Sequence, residues 1–515
     1  MKLFSVRHPL VLIGTAITLA ALVLWLIHPA WLTRLDYIAY DAQIRAATPT
    51  PLTGNVVIVE IDEASLTRYG QWPWPRSVLA GIVNRIRDAG ARVIVLDVVF
   101  AEPEQRLPAQ PVTGARLEEN RPNESVPAGD RSVAASPGDL DLRTSVEPGR
   151  VVVGQYFRFD GEGGSKACVL HPVSLSTAFR FDAPETPYPM ANAATCTISE
   201  VAGVAAGSGF LNASPDADGT FRRIPLLIGF EDRAYPSLAL AAVMSYRNVR
   251  AAQLLQQQDR SEQLRFGDTS VPVGPQSTML LRFQPDPRAF DRVSAAAIAL
   301  NPGILRDKIV VIGGSAVGLH DTLSTPMRSE APGPDIQATA IDNLLAGVAF
   351  ERSAASRTAE VLILLVCGVL GTLLFARFRP IAAGLGAALL IAAAWLGTSR
   401  YLDATGIFVS PAFAIVLVAV NVGALSVFSL ARQRSRAEHS ESQAKAARTF
   451  MVTMLGNLTM LRDLETGEHL FRMRRYAAIL SEALRKHPRF RHVLTAERVA
   501  LIGELVPMHD MGKVG

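Results

Sequence analysis

Four stretches of the chain are apolar and uninterrupted by charge: 10–27, 361–376, 381–398 and 407–431. A helix needs about 20 apolar residues to cross the hydrocarbon of a bilayer, with a lower limit near 17, so these blocks predict four membrane spans. Buried core helices of a globular domain are the alternative, and they seldom carry apolar runs this long. The second block is the shortest and has Glu360 at its edge; "ARFRP" then turns it tightly into the third. The first, "LVLIGTAITLAALVLWLI", resembles a signal peptide in part. Its run exceeds a usual signal core and no clear A-x-A site follows directly, so it reads as an uncleaved anchor.

Between the first and second blocks the pattern changes. "NVVIVEID" (55–62) is a β-branched run of buried-strand type. "RSVLAGIVNRIRDAG" (76–90) is helical, with Leu79, Ile82, Val83 and Ile86 on one face and Gly90 as its stop. "ARVIVLDVVF" (91–100) is a second apolar strand. Strand, helix and strand at this spacing form a βαβ unit, which predicts two parallel, neighbouring strands; "DKIVVIGGSA" (307–316) should join their sheet. Residues 28–358 are therefore expected to fold as one α/β domain. Within it, 101–150 is rich in Pro, Glu, Arg, Ser and Gly. That composition buries too little apolar surface to offset its ordering entropy, predicting a disordered insertion.

Charge settles partners and orientation. Lys plus Arg number 51 and Asp plus Glu 47, a net charge of +4. That balance gives no case for a nucleic-acid binder. Lys2 and Arg7 precede the first span, Arg377 and Arg379 occupy the hairpin after the second, and Arg432, Arg434 and Arg436 follow the fourth. Basic residues mark the cytoplasmic side, which places both termini in the cytoplasm (1–9 and 432 onward) and 28–358 in the periplasm. Arg34, Arg352 and Arg357 argue the opposite way, but a large translocated domain weakens their influence. Of three cysteines, Cys367 lies inside the second span. Cys168 and Cys196 lie in the exported segment, where an oxidising compartment allows a disulfide; the sequence leaves open whether their geometry permits it.

Several clusters in the exported segment are candidates for ligand recognition. "QWPWPR" (71–76) sets Trp72 and Trp74 between prolines beside Arg76. A hydrophobic plug fixing the turn before the helix is the simpler account, a ligand rim the alternative. "GGSAVG" (313–318) follows a strand but fails the dinucleotide pattern, with Ser315 where the second Gly is required, and it lacks a P-loop lysine. A tight turn fits it better. Asp62, Asp97 and Asp321 stand at strand or loop ends, where open α/β sheets place ligands and where simple caps also occur.

"VVIVEIDEASLTRYGQWPWPRSVLAGIVNRIRDAGARVIVLDVVFAEPE", "DGTFRRIPLLIG", "YPSLAL" and "KIVVIGGSAVGLHDTLSTPM" occur in this order. Together they resemble the type 2 CHASE sensor domain, an extracytoplasmic module of bacterial signalling receptors. The resemblance implies a sensor for an unknown extracytoplasmic ligand, followed by three spans and a cytoplasmic output domain.

Past the fourth block, 432–462 is polar at first and then carries Phe450, Met454, Leu458 and Leu461 on one helical face. A helix leaving the membrane and pairing with a twin in a homodimer would have this pattern. Glu465 and His469 are four residues apart and so share a helical face. His509 and Asp510 are adjacent, and such a pair can serve one dinuclear centre, imidazole on one metal and carboxylate bridging. Lys513 places a cation beside a phosphate, and Gly512 lets the backbone approach.

"ETGEHLFRMRRYA" and "PMHDMGKVG" resemble two segments of the HD-GYP family, metal-dependent phosphohydrolases that hydrolyse cyclic di-GMP. The resemblance implies an all-α output domain from 463 to 515 and makes Glu465, His469, His509 and Asp510 metal ligands. It gives Lys513 a catalytic contact with the substrate phosphate and Arg472 a structural role. It also implies two or more divalent metal ions, iron or manganese. The family's further ligands and its Gly-Tyr-Pro segment would lie beyond Gly515, so the chain is expected to be cut short and inactive as it stands. The sequence thus predicts a multi-pass receptor of the bacterial inner membrane. A non-catalytic receptor with a degenerate output domain and an HD phosphohydrolase for another nucleotide are alternatives. A transporter is disfavoured because the spans carry no charge.

Overall fold

The computed structural model describes residues 8–104, 136–160, 168–179, 187–257, 261–286, 288–316, 319, 322–462 and 464–509. The chain divides into two compact units, one formed by Gly14–Leu374 with Gly384–Val420, the other by Met1–Ile13, Phe375–Ala383 and Asn421–Gly515.

The first unit is built on a seven-stranded sheet. Its order is Asp291–Ser294, Val56–Ile61, Ile309–Gly314, Val93–Leu96 and Val151–Arg158, with Ala193–Cys196 and Gly207–Phe210 both pairing with Val151–Arg158. All pairings are parallel except that of Ala193–Cys196. The βαβ expectation of adjacent strands is corrected here. Val56–Ile61 and Val93–Leu96 are parallel, but Ile309–Gly314 lies between them, Val311 pairing with Ile58 on one side and Val95 on the other. A crossover helix can step over one strand position, and all three runs are apolar on both faces, so local spacing could not say which would be central.

Alternation along the strands feeds two cores. Val56, Ile58, Val93, Val95, Ile309 and Val311 face the helices Leu238–Arg247 and Gly333–Ala346. Val57, Val59, Ile94, Leu96, Val310 and Ile312 face the helices Arg76–Asp88 and Pro137–Val146. Leu79, Ile82, Val83 and Ile86, the stripe expected from the sequence, are all buried. Each such side chain contributes about 1.5–3 kcal/mol on burial. Gly90 ends the turn in the left-handed region at φ 88°.

Composition placed 101–150 in one disordered insertion. Residues 136–150 depart from that expectation: Ser136 caps the helix Pro137–Val146, whose Leu142 and Val146 are fully buried. Two apolar residues one turn apart suffice to dock a short helix, and a composition average over fifty residues hides them. Of the remainder, 101–104 is described, with Glu104 bonded to Arg76 N and Asp139, and 105–135 lies outside the described residues.

Among the described residues, four helices are long and apolar enough to cross a membrane: Pro9–Ile27, Ala354–Arg377, Pro380–Thr405 and Ala412–Leu455. The last is part of a single helix, Ala412–Arg462, which takes in the segment expected as a linker. Residues 407–411, assigned to the fourth span from hydropathy, precede that helix. After His28, at φ 50°, and Pro29, a helix Ala30–Ala46 carries the chain from the anchor to the sheet domain.

The C-terminal part of the second unit holds the end of Ala412–Arg462, then the helices Leu464–Arg485 and Ala496–Leu505 joined by turns over 486–495, and a 3-10 turn Val506–Met508.

Candidate functional site

Candidate chemistry falls in two places, the sheet domain and the C-terminal helices. At the carboxyl end of the central strands one carboxylate oxygen of Asp62 is taken up by its neighbours. Its Oδ1 accepts from Ser65 N at 2.9 Å, Ser65 Oγ at 2.6 Å and Ser294 Oγ at 2.8 Å, capping the helix Glu63–Tyr69. Asp97 sits where Gly313 meets Pro334, and a Cβ on Gly313 would collide with that proline. Gly313 is thus glycine so that the helix Gly333–Ala346 can lie close to the sheet. Asp321 lies outside the described residues.

Trp74 is buried, donates Nε1–H to the Gly70 carbonyl at 2.7 Å and meets Tyr69 and Trp72 edge-on at 5.2 and 5.5 Å. Arg76 lies over Phe100 at 4.2 Å and within 3.6 Å of the buried Asp139. These contacts pack the Trp-Pro-Trp segment between the helices Glu63–Tyr69 and Arg76–Asp88. Cys168 and Cys196 are disulfide-bonded, with Cα atoms 5.8 Å apart, beside an aromatic cluster of Phe157, Phe210, Phe230 and Tyr235.

Two charged networks join the helix Ala30–Ala46 to the rest of its unit. Arg222 is 2% exposed and forks onto Asp41 at 2.7 and 2.8 Å and Asp218 at 2.8 and 2.7 Å, reaching Asp216 at 3.2 Å. Its guanidinium also stacks 4.4 Å from the Tyr37 ring. The Arg222 hydrogen bonds pull Asp218 down to about 2. Burial alone would lower the arginine, but its bonds to Asp218 and Asp41 outweigh that and raise it. In the second network Arg352 Nη2 lies 2.7 Å from Asp36 and 3.1 Å from Glu360. Ser410 Oγ donates to Asp36 at 2.5 Å and Ser410 N to Glu360 at 3.1 Å. Asp36, Glu360 and Ser410 are buried, and together they tie the anchor's following helix, the second span and the loop before Ala412–Arg462. Glu360 at a span edge was the only residue of this set with a visible sequence signal.

Residues 16–373 match the model of the family described as CHASE2 domain. The chain belongs to the CHASE2 domain family. The match takes in the sheet domain, most of the first two apolar helices and both Arg222 and Arg352, while Ser410 of the second network lies beyond it. No solved structure matches the chain.

In the C-terminal region the chain is similar to two proteins of Vibrio cholerae serotype O1. One is a cyclic di-GMP phosphodiesterase, 35% identical over 78 residues, 15% of this chain and 16% of the relative. The other is a probable cyclic di-GMP phosphodiesterase, 37% identical over 65 residues, 13% of this chain and 15% of the relative. The chain thus spans about a sixth of the length of the curated relatives it matches.

There the helix Leu464–Arg485 carries Glu465 and His469 one turn apart. Thr495 caps the helix Ala496–Leu505, and the turn after it delivers His509 to His469, their ring centroids 5.9 Å apart. Val506 O can only accept, so His509 Nδ1–H donates to it at 2.7 Å, and the lone pair of the neutral ring sits on Nε2. A backbone carbonyl fixing one imidazole nitrogen is how metal-bound histidines are commonly oriented. Two exposed imidazoles at this separation, one so oriented, fit a divalent metal by donor type. Among the described residues no group of three or more His, Cys, Asp or Glu is gathered as a metal cluster. Asp510 and Lys513 lie outside them.

Proposed function

We propose that the chain is a signalling receptor of the bacterial inner membrane, in which an extracytoplasmic CHASE2 domain governs an HD-GYP-type output domain acting on cyclic di-GMP. The observation that carries this reading is the joining, in one chain, of a CHASE2 domain to a C-terminal segment similar to cyclic di-GMP phosphodiesterases. Four helices of spanning length lie on this chain, and the Lys and Arg residues at their ends favour a periplasmic sensor and cytoplasmic termini.

In this reading Glu465, His469, His509 and Asp510 hold divalent metal ions, iron or manganese, and Lys513 contacts a substrate phosphate. Bound metals supply a water of lowered pKa and neutralise charge on the phosphoryl oxygens. His509 presents Nε2 because Val506 holds Nδ1, and Lys513 adds a fixed cation where negative charge grows. The helix Ala412–Arg462 exposes Phe450 and Met454, in keeping with a partner helix from a second copy.

The test is metal content and cyclic di-GMP turnover of the full gene product in nanodiscs. Wild type should carry metal and turn over substrate, and His509→Ala should lose both. Metal without turnover would favour a degenerate output domain, and turnover of another nucleotide alone would replace the substrate.

A further inference from the structure

We infer that Arg448 and Glu504 form the contact through which the helix leaving the fourth span positions the turn that carries His509. The helix Ala412–Arg462 runs unbroken out of its apolar part, which ends near residue 431. Arg448 stands about 25 Å further along it at 1.5 Å per residue. There its Nη2 lies 3.3 Å from Glu504 Oε2. Glu504 belongs to the last turn of Ala496–Leu505, and the 3-10 turn Val506–Met508 follows at once. That turn supplies the Val506 carbonyl that holds His509 Nδ1, and it sets the ring against His469. A shift of Glu504 is therefore passed to His509 through helical backbone alone.

The contact is a match of two helix faces. Lys445 precedes Arg448 by three residues and Glu497 precedes Glu504 by seven, so each pair shares a face of its own helix. Lys445, held by Glu441 at 2.8 Å, also lies within the electrostatic reach of Glu497. Two cations of the long helix thus oppose two carboxylates of the short one. Ala496–Leu505 packs its backbone against Leu464–Arg485, and side-chain charge ties it to the long helix. The side chains of Arg448 and Glu504 are 49% and 38% exposed. An ion pair so exposed adds little to stability, which suits a coupling element: a rotation or slide of the long helix breaks it without unfolding either partner.

The inference rests on the output-domain reading for its metal, and two measurements let the two fail separately. The full gene product in nanodiscs is titrated with manganese(II). Arg448→Glu and Glu504→Arg should each weaken binding about two- to fivefold, the scale of one exposed ion pair, and the double exchange should restore it. Glu482→Gln, which breaks an exposed pair within Leu464–Arg485, should leave it unchanged. Metal affinity is the readout that a merely structural contact would not move. In the second measurement, made without metal, Arg448→Cys and Glu504→Cys are placed together in the chain carrying Cys367→Ala. A short bis-maleimide should join them within one chain, read by peptide mass spectrometry. No crosslink, single variants that bind manganese like wild type, or an exchange no better than the singles would overturn the inference. A crosslink in a chain whose wild type binds no manganese would refute the output-domain reading and, with it, the role given to the pair.

Discussion

Replacing Arg222 by alanine removes the cation that three carboxylates share. Arg222 is 2% exposed and makes five hydrogen bonds of 2.7 to 3.2 Å to Asp41, Asp216 and Asp218, linking the helix Ala30–Ala46 to the loop that carries the two later aspartates. Truncating one partner of a buried pair leaves uncompensated charge and costs about 3–5 kcal/mol. Asp41 and Asp216 have side chains only 13% and 8% exposed, so water cannot fully replace the guanidinium. For a domain of this size the loss corresponds to a fall of roughly 5–15 °C in Tm. Arg222→Lys keeps the charge but loses both forks, and should fall between wild type and alanine. The assay is thermal and urea unfolding of the full chain in nanodiscs, followed by tryptophan fluorescence. Asp218→Asn in the Arg222→Ala background should recover part of the loss, because it relieves repulsion among carboxylates left without a cation. A loss below about 1 kcal/mol for Arg222→Ala, or strict additivity with Asp218→Asn, would refute the reasoning.

Two further outcomes follow from the same unit. Asp218 is held near 2, below its ordinary 3.8, by Arg222. A depressed folded-state pKa contributes stability that is present above the unfolded value and lost as pH falls through the folded one. Discounted for solvent screening at the exposed Asp218, about 1 kcal/mol should therefore disappear between roughly pH 4 and pH 2, and Asp218→Asn should flatten the unfolding midpoint over that range. The Cys168–Cys196 bond closes a loop with a sequence separation of 28, which implies about 3–4 kcal/mol by chain entropy. Cys168→Ser should lower the urea midpoint accordingly, and dithiothreitol should lower wild type to match it; a midpoint unmoved by either would count against the bond.

How much was legible follows from which interactions are local. The strands Val56–Ile61, Val93–Leu96 and Ile309–Gly314 and the helix Arg76–Asp88 announce themselves by apolar runs and by a 3.6-residue stripe. The order of those strands does not, because every one of them is buried on both faces and could occupy the centre. The helix Pro137–Val146 was missed because its two buried apolar residues are diluted by polar neighbours. Arg222 with Asp41, and Arg352 with Asp36 and Glu360, are partners separated by 181, 316 and 8 residues. Asp216, Asp218 and Glu360 are local partners, but without the distant Asp41 and Asp36 they do not mark either arginine as the centre of a buried network. At the C-terminus the Glu-x3-His and His-Asp spacings were local and visible. The approach of His469 to His509, and the carbonyl that orients His509, needed the turn Val506–Met508 to be placed in space.

The central claim is that the CHASE2 domain and the C-terminal helices lie on opposite sides of one membrane. It is tested most directly by sidedness labelling of single cysteines at Ser270 and Ser442, both exposed and one in each unit. With Ser270→Cys and Ser442→Cys introduced separately into the chain carrying Cys367→Ala, a membrane-impermeant maleimide is applied to intact spheroplasts. Labelling at 270 and none at 442 until the cells are lysed is the result the account predicts. Labelling at 442 in intact cells, with 270 protected, would contradict it.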